Sequence, residues 1–199
     1  MGKIFTAGIA GGSASGKSTL CDKLEKELQD YKLAVIHTDS YFKPDNERIK
    51  KKAFVTKREY LDDNHPEDTI YLHQLRKDAF DIINKNEHDI LLIEGIFTLW
   101  DDVIFNMLDL KIYIDCKPDE RIVRRLKRNM QWGLKFDEIA DVYLDMVRYR
   151  HEEYVEPSKW RADIIINGSN PTDASFDILA GYIKNKVGND GNRSANIQE

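Results

Sequence analysis

A glycine-rich octapeptide near the start of the chain constrains the fold more than any other feature of its 199 residues. Residues 11–18 read Gly-Gly-Ser-Ala-Ser-Gly-Lys-Ser, which matches the phosphate-binding pattern Gly-x4-Gly-Lys-Ser/Thr. An apolar run at 3–10 predicts a strand before it, and leucines at helical spacing predict a helix over 17–29. In a strand, loop and helix that follow one another in this way, the loop's backbone N–H groups and the N-terminus of the helix point at bound phosphates. The predicted nucleotide-binding residues are Gly11, Gly12, Ser13, Ala14, Ser15, Gly16, Lys17, Ser18 and Thr19.

Two side chains of this loop have specific predicted roles. Lys17 would reach the β- and γ-phosphates, and the Ser18 hydroxyl would ligate magnesium. The alternative is an ordinary glycine turn that is capped by Ser13 or Ser15. The strand before the loop and the helix after it favour phosphate binding, because they form the structural context that this motif requires.

The rest of the chain alternates β-forming runs with helical periods, which predicts an α/β fold with helices against a parallel sheet. Residues 1–187 are predicted to form a single domain, and the polar, glycine-containing residues 188–199 a disordered tail. The polar segment 38–66 is too long for an ordinary connection between two elements, which predicts a functional loop or small subdomain. Further strands are expected at 33–37, 88–94, 110–115 and 162–167, and helices at 70–83, 118–130, 136–154 and 172–187.

Charge and hydropathy exclude several partners. The 35 acidic residues exceed the 30 Lys and Arg residues, so a nucleic-acid partner is not expected. The apolar runs are far shorter than the roughly 20 residues of a membrane span, and no signal peptide is visible, so a cytoplasmic protein is expected. Cys21 and Cys116 are too few and too distant for a zinc site or a disulfide framework. The expected partner is a small molecule, and a homo-oligomer stays open.

Two acidic residues follow predicted strands at the edge where parallel sheets bind ligands. Asp39 lies just past the second strand, and Glu94 ends an apolar run. Asp39 is the candidate base for an acceptor hydroxyl, with a turn-capping aspartate as the alternative. Glu94 is the candidate magnesium ligand, directly or through water, with a structural hydrogen bond as the alternative. Lys17 should share this edge with both.

A row of arginines follows the fourth predicted strand. Arg121, Arg124, Arg125 and Arg128 have the spacing of one helix face. Such a face could close over a nucleotide and neutralise the transferring phosphoryl group. The alternative is a solvated basic face that pairs with Asp119 or Glu120.

The same motifs, in the same order, resemble the uridine kinase family of P-loop kinases, which is also similar to phosphoribulokinase. The resemblance rests on the phosphate loop, on Thr-Asp-Ser-Tyr-Phe-Lys at 38–43, on Asn-His-Pro at 64–66, on Leu-Ile-Glu-Gly-Ile at 92–96, on the arginine row and on 154–166. It implies a three-layer fold with a five-stranded parallel sheet, ATP or GTP as donor, and magnesium. It also implies a base role for Asp39, a metal role for Glu94, and lid roles over 118–135 for Arg124, Arg125 and Arg128.

The resemblance also implies transfer to the 5′-hydroxyl of uridine or cytidine, and the chain departs from it at the acceptor. The family inserts a base-binding hairpin before the strand of Glu94, whereas this chain has only about residues 85–88 at that place. The family's Asp-His-Pro is Asn64-His65-Pro66, and its lid Arg-Gly-Arg is Trp132-Gly133-Leu134. The segment 38–66 still supplies the candidate acceptor-binding residues, which are Tyr41, Tyr60, Asp62, Asp63, Asn64 and His65.

The function predicted from the sequence is ATP- and magnesium-dependent phosphorylation of a small-molecule hydroxyl, with a nucleoside first. One alternative is a kinase for another ribosyl or small hydroxylated metabolite such as nicotinamide riboside, which the short middle segment resembles. A second alternative is a regulator that binds a nucleotide without phosphorylating an acceptor. A guanine-reading Asn-Lys-x-Asp motif is absent from the sequence, which argues against the GTPase form of such a regulator.

Overall fold

The computed structural model describes residues 3–62 and 65–195, with side chains as far as residue 188. The strands of the central sheet are β1 (Phe5–Gly11), β2 (Leu33–His37), β5 (Ile90–Glu94), β6 (Leu110–Asp115) and β7 (Ile164–Asn167). They are parallel and lie in the order β2-β5-β1-β6-β7, which confirms the predicted α/β class and five-stranded sheet. The central β1 is buried throughout.

Helices cover both faces of this sheet. The helices are α1 (Lys17–Glu27), α2 (Pro66–Thr69), α3 (Leu72–Lys85), α4 (Asp102–Met107), α5 (Pro118–Gln131), α6 (Phe136–Val142), α7 (Arg148–Arg150) and α8 (Asp173–Ala195). Among the described residues, no helix combines the length and the apolar character that a bilayer-spanning segment needs.

Strand alternation produces the three layers. Leu91 and Ile93 of β5 face one side and pack with Leu75 of α3 and Ile104 of α4. Ile90 and Leu92 face the other side and pack with Leu24 of α1 and Ile183 of α8, which are both fully buried. Burying both faces explains why these strands read as continuous apolar runs.

The described residues of the segment 38–66 include regular structure. A 3-10 turn, Thr38–Tyr41, follows β2, and an antiparallel hairpin then joins β3 (Lys50–Lys52) to β4 (Glu59–Leu61). The hairpin does not show in the sequence pattern, because β3 consists of three lysines and has no apolar alternation.

Two other segments differ from the sequence prediction. The single helix expected over 136–154 is divided by π-helical turns, Tyr143–Val147 and His151–Val155, and a 3-10 stretch, Glu156–Arg161, leads to β7. The last helix extends to Ala195, past residue 187 where the sequence predicts the domain to end and the disordered tail to begin. Residues 196–199 of that predicted tail lie outside the described residues.

Candidate active site

The phosphate loop connects the carboxyl end of β1 to the N-terminus of α1. Gly11 (φ +145°) and Gly16 (φ +107°) adopt backbone angles that side chains disfavour, and Ala14 joins them at φ +63°. A Cβ at position 12 would lie 2.9 Å from Arg121 Cζ and 3.0 Å from His151 Cε1. Glycine at this position therefore lets the loop approach the side chains behind it.

Lys17 lies buried between this loop and the sheet edge. Its Nζ donates to the Gly12 carbonyl at 3.2 Å and lies 4.0 Å from Glu94 Oε1. Burial lowers the pKa of Lys17, while the charges of Glu94 and Asp39 oppose that change. Two carboxylates that are distant from Lys17 in sequence therefore act on it electrostatically.

Glu94 is at the carboxyl end of β5, level with Ile9 of β1 and His37 of β2. Its Oε1 accepts from the Ser18 hydroxyl at 3.4 Å, and its Oε2 lies 3.2 Å from His37 Nδ1. Ser18 and Glu94 thus present two neighbouring oxygen donors beside the phosphate loop. Such a donor pair fits Mg²⁺, which prefers oxygen ligands and takes only one or two from the protein when phosphates supply others.

Asp39 reaches the same site because β2 and β5 are adjacent. It lies in the 3-10 turn after β2 and lines an open cavity of about 960 Å³ together with Lys17, Ser18 and Glu94. The approach is close, since a Cβ on Gly95 would lie 2.6 Å from Thr38 Cβ and 2.7 Å from Thr38 Cγ2. Gly95 therefore sets how near the Asp39 turn comes to Glu94.

This contact predicts that Gly95→Ala destabilises the protein by about 1–3 kcal/mol, since the new methyl group must displace Thr38. Chemical denaturation would measure the free energy of unfolding. Gly181→Ala is the matched control, because nothing lies within 4 Å of a Cβ there and alanine favours the helix. Equal stabilities of the two variants would contradict the proposed close approach.

The arginine row divides into three environments. Arg125 Nη1 and Arg128 Nη2 donate to Ser13 Oγ of the phosphate loop at 3.1 and 3.4 Å. Arg124 donates to the Gly168 carbonyl at 3.0 Å and to Glu120 at 3.1 Å, although it also lines the cavity. Arg121 is buried and donates to the Cys116 carbonyl at 3.0 Å. Arg125 and Arg128 therefore hydrogen-bond to a side chain of the loop, whereas Arg121 packs behind it at Gly12.

The described acceptor candidates have partners outside this cavity. Tyr41 donates to Asp78 at 2.8 Å, and burial together with that carboxylate raises the pKa of Tyr41 to about 12. Tyr60 hydrogen-bonds to Asp145. None of the described candidates, Tyr41, Tyr60, Asp62 and His65, lines the cavity that contains Asp39.

Asp62 and His65 have structural partners as well. Asp62 is buried and pairs with Arg150 at 2.7 Å, so this carboxylate is engaged in holding the hairpin to the π-bulged helix. His65 caps α2 by accepting from the Asp68 N–H at 3.4 Å, and its ring packs edge-on against Tyr154. Asp63 and Asn64 lie outside the described residues.

Other residues line the cavity that sequence reasoning did not assign to it. They are Phe42 and Arg48 from the segment after β2, Ile96 after β5, and Asn129, Trp132 and Leu134 at the end of α5. Phe42 and Ile96 belong to the motifs at 38–43 and 92–96, so their proximity to the site could have been inferred. Trp132 and Leu134 lie within the predicted lid segment 118–135, so they too could have been expected near the site. Arg48 has no such signal, because only the fold of the segment after β2 brings it to the cavity.

His151 is a largely buried histidine that packs behind the phosphate loop at Gly12. Burial, together with the Arg121 charge, lowers the pKa of His151 to about 4, although Glu156 Oε2 lies 3.1 Å from Nε2. The folded protein therefore holds this imidazole neutral, whereas the unfolded chain takes up a proton below about pH 6.5.

Stability is accordingly expected to fall as the pH drops from 6.5 toward 4, because the unfolded state binds the extra proton. His151 alone should contribute a loss of about 2 kcal/mol between pH 7.5 and pH 5. Urea unfolding of wild type and His151→Gln at both pH values measures this contribution as the difference between their losses. His73→Gln, at an exposed position, should keep the wild-type dependence. An unchanged pH dependence in His151→Gln would refute the assignment.

Comparison with known proteins identifies the family of the chain. The profile of the Phosphoribulokinase / Uridine kinase family matches residues 36–175, more than half of the chain. The chain belongs to this family. It is therefore assigned to the P-loop kinases, as the sequence resemblance implies.

Individual relatives extend over most of the chain. A uridine kinase from Clostridium novyi (strain NT) is 34% identical over 194 residues, covering 89% of this chain and 93% of its own. A uridine kinase from Geobacillus kaustophilus (strain HTA426) is 32% identical, covering 92% of this chain and 94% of its own.

Solved structures share the fold at lower identity. A possible uridine kinase from Bacillus stearothermophilus has a TM-score of 0.52 at 20% identity, covering 83% of this chain and 89% of its own. A putative fructose transport system kinase from Silicibacter has a TM-score of 0.59 at 15% identity, covering 82% of this chain and 89% of its own.

Proposed function

We propose that this kinase transfers the γ-phosphoryl group of ATP to a hydroxyl of a small molecule, most directly the 5′-hydroxyl of uridine or cytidine. The observation that carries the proposal is the gathering of Lys17, Asp39 and Glu94 in one cavity beside the phosphate loop. The relatives named uridine kinase support a nucleoside acceptor.

In this proposal Asp39 accepts the proton of the attacking hydroxyl, and Lys17 binds the β- and γ-phosphates. Ser18 and Glu94 hold magnesium, which when bound neutralises phosphate charge. Arg125 and Arg128 stabilise charge on the transferring group from the side of Ser13. Arg124 acts less directly, because Glu120 and Gly168 already engage it.

A second acceptor class has specific support. The helix α3 ends at Lys85 and β5 begins at Ile90, so no hairpin lies between them. The described acceptor candidates are also turned toward other partners. These observations favour another ribosyl or hydroxylated metabolite, such as nicotinamide riboside, as the alternative.

The test is product formation. Purified protein with magnesium and either ATP or GTP would be incubated with uridine, cytidine, nicotinamide riboside and simple sugars, and phosphorylated products identified by mass spectrometry. We expect a nucleoside monophosphate in the reactions with ATP. Tight nucleotide binding without product from any acceptor would favour the regulator instead.

The proposal extends to the cellular location and the partners of the enzyme. We propose a cytoplasmic enzyme without a nucleic-acid or membrane partner. The formal charge of −5 at pH 7 supports the absence of a nucleic-acid partner. Fractionation of cells that express the tagged chain would test this location.

A further inference from the structure

The end of α5 presents an aromatic and an aliphatic side chain around a glycine turn. The Gly133 N–H donates to the Met130 carbonyl at 3.0 Å, and the Leu134 N–H donates to Asn129 at 3.2 Å. Gly133 has φ +91°, the left-handed geometry with which helices commonly end. The turn leaves Trp132 69% and Leu134 48% exposed, so two large apolar side chains remain largely uncovered.

Both side chains line the cavity of Asp39. Phe42 and Arg48, from the segment that carries Asp39, line it too. The Arg128 guanidinium lies 5.0 Å from the Trp132 ring centroid, yet most of the ring surface is accessible. The site therefore combines a charged region with exposed aromatic surface, a combination suited to a ligand with a polar part and a planar apolar part.

The position of Trp132 along α5 favours the acceptor over the donor. Arg125 and Arg128 contact Ser13 of the phosphate loop, and Trp132 lies one helical turn beyond Arg128. Arg124, one turn before Arg128, contacts Gly168 instead. Trp132 thus lies beyond the phosphate loop along the direction of α5. It lines the same cavity as Phe42 and Arg48 of the segment 38–66.

We propose that Trp132 stacks on a planar heteroaromatic ring of the acceptor. The acceptor class is then a ring-bearing hydroxyl compound, such as a free nucleoside, and a bare sugar would bind far more weakly. This inference rests on the proposed kinase function and specifies its acceptor. It assigns recognition of the ring to the turn at the end of α5, where Leu134 supplies apolar surface next to Trp132.

Tryptophan fluorescence tests ring binding without catalysis. The chain has three tryptophans, of which Trp160 is 79% exposed and does not line the cavity. Uridine, cytidine and nicotinamide riboside would each be titrated into wild type, Trp132→Phe and Trp160→Phe. At least one of these compounds should quench wild type and Trp160→Phe but not Trp132→Phe, while ribose quenches none. Quenching by magnesium-ATP alone, through Trp132, would assign the ring to the donor and overturn the proposal.

Steady-state kinetics give the second readout. Trp132→Ala should raise KM for the ring-bearing acceptor by roughly tenfold or more, while KM for ATP stays within about twofold. Trp132→Phe should retain most of the affinity because it keeps an aromatic face, and Trp160→Ala should match wild type. An unchanged acceptor KM in Trp132→Ala would overturn the proposal even if the variant is fully folded by circular dichroism.

The outcomes separate this inference from the function on which it rests. Phosphorylation of ribose with the same kcat/KM as a nucleoside leaves the kinase intact and refutes ring stacking. Trp132-dependent quenching by a nucleoside, with no phosphorylated product from any acceptor, retains ring binding and refutes the kinase proposal.

Discussion

An Asp39→Asn variant is expected to lose roughly 10²- to 10⁴-fold in kcat, because asparagine has the size of aspartate but cannot accept the acceptor's proton. Asp39 lines the cavity with Lys17 and Glu94, and its charge acts on Lys17. The substitution should leave ATP affinity nearly unchanged, since the phosphate loop and Lys17 remain. Steady-state kinetics with saturating acceptor measure kcat, and calorimetry measures nucleotide binding.

The control for this variant is Asp177→Asn, an exposed position on α8 far along the chain from the site residues. It removes the same charge and should keep wild-type kcat. A wild-type rate in Asp39→Asn would remove Asp39 from the base role. Loss of ATP binding in proportion to kcat would instead show that Asp39 supports the donor site.

The double variant Arg125→Gln/Arg128→Gln is expected to lose about 10³-fold in kcat. Both guanidinium groups contact Ser13 in the phosphate loop, so they are placed to neutralise charge on the transferring phosphoryl group. The acceptor KM should change much less, because these contacts involve the loop that binds the donor. Single-turnover kinetics would separate the chemical step from product release.

Arg124→Gln is the matched control on the same helix. Arg124 donates to Gly168 and Glu120, so its removal should cost less than about tenfold in kcat. If Arg124→Gln is as damaging as the double variant, the division of the arginine row by its contacts is wrong. If neither variant loses rate, α5 does not act as a lid.

Much of the fold could be predicted because its signals are local. The strands predicted at 33–37 and 110–115 coincide with β2 and β6, because their apolar runs pack against the core on the two faces of the sheet. The hairpin of β3 and β4 could not be predicted in this way. It is fixed by contacts of Asp145 with the backbone N–H groups of Val55 and Thr56, about 90 positions apart in sequence.

The candidate site shows the same division. The phosphate loop, Asp39 and Glu94 follow from motif and topology, because the carboxyl ends of neighbouring parallel strands lie at one edge. The acceptor candidates do not follow in this way. Asp62 and Asp39 are both aspartates, yet Asp62 forms a buried ion pair with Arg150. Residue type alone gives no indication of that pairing.

The phosphate loop, the parallel sheet and the pair of acids at its edge follow from the amino-acid sequence, because each depends on a short run of residues and on the geometry of adjacent strands. The folded structure was needed to distinguish the polar side chains that remain in the cavity from those that are held in internal pairs. It also placed Arg48 in that cavity. The physical reason is that a side chain's environment depends on partners that are distant along the chain, and those partners are brought together only by folding.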